Sequence, residues 1–134
     1  MKNLINFVTG TVLTNIVYFL GGLDLALQTL LILIVLDYIT GVMKAITNKK
    51  LSSEIGAKGI IKKVGYLIMV ALAFLVDRIM GDTGTIRNIV TYFFVANEGI
   101  SILENWTAMG LKTPKVISDV LYQIKKDKGG DKDE

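Results

Sequence analysis

The chain reads as an all-α integral membrane protein. Four transmembrane helices, alternatively three with a peripheral first helix, are followed by a short amphipathic cytoplasmic helix at the C-terminal end. Three observations predict this. Of the 134 residues, 51% are hydrophobic and only 20% are charged, and the mean hydropathy is +0.52. The charges cluster, leaving long uncharged runs, and about 18–20 apolar residues suffice to cross a hydrocarbon core of roughly 30 Å. Four crossings also bring all thirteen lysines to one side and leave only Arg78 and Arg87 on the other. Lysine asymmetry of this kind marks the cytoplasmic face, so both termini and the central loop are expected there.

The first helix is predicted at about 3–22, NLINFVTGTVLTNIVYFLGG, with no formal charge but with Thr9, Thr11, Thr14 and Asn15 inside it. Lys2 before it raises a removable signal segment, but no small-x-small cleavage pattern follows, which favours a retained span. Gly21-Gly22 predicts a tight turn, and Asp24 a cap for the next helix. The second helix, about 25–46, is the strongest span, uncharged from Leu25 to Leu36. The loop that follows is basic, and Ser52 or Ser53 would cap a helix with Glu54 in its first turn.

The third helix is predicted at about 60–80, closed by Asp77 and Arg78, with Gly81-Asp82-Thr83-Gly84 as a turn. The fourth, about 86–106, is interrupted by Asn97, Glu98 and Glu104, with Tyr92 and Trp106 as interfacial anchors. Residues 1–111 thus form the transmembrane domain and 112–134 a cytoplasmic segment. Thr113-Pro114 starts an amphipathic helix with Val116, Val120, Leu121 and Ile124 on one face, and KKDKGGDKDE at the end is expected to be disordered.

Polar residues inside the spans carry the functional expectations. Asp37 lies near the middle of the second helix and Glu98 near the middle of the fourth. A central acidic residue in lipid costs about 2.5–3.5 kcal/mol, so such residues face protein or water. Asp37, Thr40, Gly41 and Lys44 share one helical face, and Gly41-x-x-x-Ala45 is a small-residue pair that permits close helix approach. Glu98, Ser101 and Asn105 form a second stripe, with Asn97 beside it. Neither helix carries a basic residue at the depth of these acids, since Lys44 lies seven residues, about 10 Å, from Asp37. The stripes either meet inside one monomer or line an oligomer contact or a wet lumen.

Lys49, Lys50, Lys58, Lys62 and Lys63 are read as topology determinants that contact anionic lipid. The glycines near Lys58–Lys63 do not make a phosphate loop, because the Gly-Lys-Ser/Thr ending is missing, and no nucleic-acid partner is expected. The sequon Asn105-Trp106-Thr107 is read as accidental in a helix entering the membrane. With no Cys and no His, thiol and imidazole catalysis and the usual zinc sites are excluded. Neither a metal nor a cofactor is expected, and the chain is read as no enzyme.

Three ordered blocks resemble the toxin-secretion and phage-lysis holin family: LDYITGVMKAI at 36–46, LSSEIGAKGIIKKV at 51–64 and NEGISILENWTAMGLKTPKVI at 97–117. Asp77 fits the same pattern. The resemblance implies a membrane protein that forms homo-oligomers in the bacterial cytoplasmic membrane. It would open lesions through which an endolysin, or a protein toxin, escapes with no direct contact required. It implies no catalytic residues. The competing readings are a small channel or transporter subunit and a membrane anchor for a soluble partner.

Overall fold

A computed structural model describes residues 1–129. It is all-helical over those residues: α1 Lys2–Phe19, α2 Leu25–Thr47, α3 Ser53–Ile79, α4 Thr85–Ala108 and α5 Lys115–Gly129. Helix α4 lies at the centre and packs on α2, α3 and α5, whereas α1 touches α3 only slightly. No residue within α1 is buried.

The turns follow from local chemistry. Gly21 and Gly22 take φ of +86° and +93°, which glycine accepts without the Cβ clash of other residues. Asp24 then caps α2 as its sequence position predicts, its side chain accepting from the Leu27 amide at 3.0 Å. The basic loop is shorter than expected. Ser52 stands at the N-cap position of α3 in extended backbone and Glu54 is in the first turn, so Lys58, Lys62 and Lys63 belong to the helix that carries the third apolar segment.

Two helices, α2 and α3, are long and apolar enough to cross a membrane. Of the four expected spans, these two pass by length and composition. α1 is diluted by Asn3, Asn6, Asn15 and its threonines, and α4 by Arg87, Asn88, Asn97, Glu98 and Glu104. Leu20, Leu27, Leu30 and Val70 form the buried apolar core, backed by Ile34, Leu67, Val90 and Phe94. Outward faces of α1, α2 and α3 display Phe7, Val12, Ile32, Val35, Ile61 and Ile68. An apolar surface of that extent calls for lipid or protein against it.

The carboxy-terminal segment also differs from expectation. Lys125–Gly129, expected to be disordered, is helical, while the rest of that tail lies outside the described residues. On α5, Leu121 and Ile124 are half-buried, and Val116 and Val120, expected on the same covered face, are exposed. Ideal Cβ positions at Gly99 and Gly129 show how closely α5 lies on α4. The first falls 2.8 and 2.9 Å from the Leu121 methyls and the second 2.7 Å from the Phe93 ring. α5 therefore runs back antiparallel along α4. Trp106, at the end of α4, ties down the connection by donating from Nε1 to the Lys112 carbonyl at 3.0 Å.

Candidate functional site: a buried charged cluster

The two polar stripes meet inside the bundle. Asp37 of α2 is buried at 8% exposure and Glu98 of α4 at 0%. Between them stands Lys63 of α3, whose Nζ donates to Asp37 Oδ2 and Glu98 Oε2. Three helices are thereby tied through one ammonium group. Neither α2 nor α4 supplies a basic residue at this depth, as the sequence indicates; the lysine comes from a third helix, α3. Lys63 was expected among the lipid-contacting lysines, but its side chain is only 14% exposed. The reason is rotation along a continuous helix, where each residue turns about 100°. Lys62 points outward over the Tyr66 ring, and Lys63 points in.

Asn105 completes the α2–α4 seam. Its Nδ2 donates to Asp37 Oδ1 at 3.0 Å and to Thr40 Oγ1 at 3.1 Å. Thr40 in turn donates to the Leu36 carbonyl at 2.9 Å. Gly41 faces the same seam, with its ideal Cβ position 3.7 Å from Asn105 Nδ2. Asn97 turns away from the acids and donates to the Tyr66 hydroxyl at 3.0 Å, under a Tyr66–Phe94 stack with centroids 4.3 Å apart. Ser101, Lys44 and Ala45 are half-buried. Lys49 and Lys50 are exposed, and Lys58 pairs with Glu54 one turn away at 3.1 Å.

The cluster is not fully satisfied. Glu98 Oε1 is buried without a hydrogen-bond partner among the described residues. Two carboxyl groups share one ammonium, and one of their four oxygens is left bare. A partly satisfied polar network in a low-dielectric interior is costly. Among the described residues no group of three or more His, Cys, Asp or Glu is placed to hold a metal ion.

A second cluster, not foreseen from sequence, locks the opposite end of α4. Arg87 is 3% exposed and donates from Nε to the Leu20 carbonyl at 2.9 Å, from Nη2 to the Gly22 carbonyl at 3.0 Å, and from Nη1 to Asp24. Asp77 of α3, 1% exposed, accepts from the Ile86 and Arg87 amides at 3.0 and 2.7 Å and so caps the first turn of α4. The sequence signals were scattered: Asp24 as a helix cap, Asp77 at the end of the third apolar segment, and Arg78 and Arg87 alone on the lysine-free side. Burial alone would push the Asp24 carboxyl up. Its hydrogen bonds from Arg87 and the Leu27 amide, with the Arg87 charge, outweigh burial and hold it below the ordinary carboxylate value.

Comparison with known proteins adds identity to geometry. Residues 14–126 match the model of the bacteriophage holin family, a stretch that contains both clusters. An uncharacterized 14.9 kDa protein of Clostridium perfringens is 40% identical over 129 residues, covering 92% of this chain and 97% of its own length. An uncharacterized protein of Listeria innocua is 44% identical over 117 residues, 87% of this chain and 83% of its own. A protein of Bacillus phage phi105 described as a probable holin is 39% identical over 101 residues, 75% of each chain. No solved structure matches the chain.

Proposed function

Because the chain belongs to the bacteriophage holin family, we propose that it is a holin, which accumulates in the bacterial cytoplasmic membrane, self-associates and opens lesions. The phage phi105 relative, itself described as a probable holin, supports the reading. In this reading all four long helices cross the membrane. The amino terminus, the α2–α3 turn and the α4–α5 connection lie on the cytoplasmic side, where Lys49, Lys50, Lys58 and Lys62 meet anionic headgroups. An endolysin, or a protein toxin, then passes through the lesion, and no direct binding to the holin is required. The role has no catalytic step.

The single observation that carries the mechanism is the Asp37–Lys63–Glu98 cluster with its bare Glu98 oxygen. Helices in lipid gain little from hydrophobic association and are held by packing and polar contacts. One monomer hides its acids by sharing a lysine, and it does so incompletely. Crowded monomers offer one another the same donors, so contacts inside one chain exchange for contacts between chains. An assembly that turns the cluster toward water relieves the remaining desolvation. Lesion opening is then the hydration of a polar seam that was dry in the monomer.

The test is induced expression in a bacterium with and without a cytoplasmic endolysin, following membrane potential and optical density together. The expected result is depolarisation in both strains and clearing only with the endolysin. Full membrane potential at high protein level would overturn the proposal.

A further inference from the structure

The two arginines have different surroundings. Arg87 is committed to Asp24 and to two backbone carbonyls. Arg78, in the last turn of α3, is exposed and makes no ion pair among the described residues. Its guanidinium is nevertheless held in place. Nη1 donates to the Tyr18 hydroxyl at 3.0 Å, and Cζ lies 5.9 Å from the ring centroids of both Tyr18 and Phe74, an edge-to-face pair. Arginine carries a fixed fork of donors, and most of this one points at no protein acceptor. A guanidinium seated on aromatic rings with free donors suits a phosphate.

An apolar groove of about 380 Å³ runs down from this end between α1 and α3. Val12, Ile16 and Phe19 line it from α1 and Ala71 from α3. Ala71, Phe74 and Arg78 share one face of α3, at i, i+3 and i+7. Thr11 and Asn15 border the groove, but both donate back to their own helix, to the Phe7 and Thr11 carbonyls at 2.9 and 2.8 Å. An occupant therefore meets mainly carbon. From Phe19 to Thr11 the groove descends about 12 Å, against roughly 15 Å for half a hydrocarbon core. Over that depth α3 is uncharged, from Val64 to Val76. Lys62 lies about 24 Å along the helix from Arg78, at the level of the other leaflet.

An apolar slot one leaflet deep, with an unpaired cation at its mouth, matches one anionic phospholipid. A second copy packed there brings only Asp82 to Arg78, because Asp24 is engaged by Arg87 and Asp77 by the α4 amides. Resting on the reading in which α1 and α3 cross the membrane, we propose that this groove binds one anionic glycerophospholipid of the outer leaflet. Its phosphate sits on Arg78 and one acyl chain lies along Val12, Ile16 and Phe19. The lipid then supplies α1, which buries no residue of its own, with much of its packing.

The test is native mass spectrometry of the full chain in detergent with equal phosphatidylglycerol and phosphatidylcholine. The most tightly retained lipid should be phosphatidylglycerol by at least about fivefold, the ratio set by about 1 kcal/mol for one basic side chain at anionic headgroups. Arg78→Gln should bring the ratio close to one, and Lys115→Gln, which removes an exposed charge elsewhere, should leave it unchanged. Ala71→Leu, with native helicity by circular dichroism, should lower retention of both lipids by filling the groove. Excess inorganic phosphate should not displace the lipid.

Equal effects of Arg78→Gln and Lys115→Gln would overturn the proposal. So would full retention in Ala71→Leu, displacement by inorganic phosphate, or a dimer that retains no lipid, which would give the groove to a second copy. Retention needs no lesion. A chain that holds phosphatidylglycerol through Arg78 but never depolarises a cell sinks the holin reading alone, and one that depolarises without this retention sinks the lipid site alone.

Discussion

Replacing Lys63 with methionine removes the only ammonium between Asp37 and Glu98 while keeping most of the apolar stem. The two carboxyl side chains are 10% and 1% exposed, so neither regains water in the closed bundle. Breaking a buried ion pair by deleting one partner costs about 3–5 kcal/mol, because the other charge stays buried and unpaired. Here one deletion strands two acids, which puts the expected loss toward the upper part of that range. Lys62→Met is the internal control: Lys62 is exposed one position earlier, and a surface change of this kind stays within about 0.5 kcal/mol. Reversible unfolding in mixed detergent micelles, followed by far-ultraviolet circular dichroism, measures both. Adding Asp37→Asn and Glu98→Gln to Lys63→Met should recover most of the loss, since the stranded acids are then neutral. Equal effects of Lys62→Met and Lys63→Met would refute the reasoning, because they would make both lysines solvated.

The other end of α4 gives three further predictions. Gly21→Ala should destabilise more than Gly22→Ala, by about 1–3 kcal/mol in the same unfolding assay: both have positive φ, but only a Cβ at Gly21 meets Arg87 Nε, at 2.8 Å. Asp77→Ala should cost about 1–2 kcal/mol and speed hydrogen exchange at the Ile86 and Arg87 amides, while Asp77→Asn, which keeps one acceptor, should do about half of each. The Asp24 carboxyl lies below its unfolded value of 3.8, so its stabilising contribution is fully present above that pH and is lost as pH falls through the lower folded value. Thermal midpoints from pH 7 to pH 2.5 should therefore fall less steeply below about pH 4 in Asp24→Asn than in the native chain.

Much of the helical plan was legible because it rests on local rules. Apolar runs located the cores of α2 and α3, Gly21-Gly22 located a turn, and Asp24 located a cap. The acids on α2 and α4 were legible as a problem, since a carboxyl at mid-helix in lipid needs a partner. Their partner was not. The basic run from Lys58 to Lys63 has the composition of a topology signal, and composition does not say that one lysine of the run turns inward. Knowing that α3 begins at Ser53 supplies the phase that separates Lys62 from Lys63. The docking of α5 was hidden for a related reason. Its charge density resembles that of a free tail, and the fit of Leu121 onto Gly99 is a match of shapes across 22 residues, which no periodicity encodes.

The cluster also makes a prediction about sign that a purely structural role does not make. If the closed monomer is poised by the cost of its dry acids, substitutions that raise the cost should bring lesion opening forward, and those that lower it should delay opening. Lys63→Met raises the cost by stranding both carboxyl groups. Glu98→Gln lowers it, because it removes one charged acid from a pocket with one ammonium for two. Measured as the onset of depolarisation at matched membrane levels, Lys63→Met should act early and Glu98→Gln late. Stability alone gives no such ordering, since loss of the salt bridge to Glu98 loosens the same three helices in both variants. Two shifts in the same direction would mean that the cluster is only a fastener, and that lesion opening draws its driving force from elsewhere in the bundle.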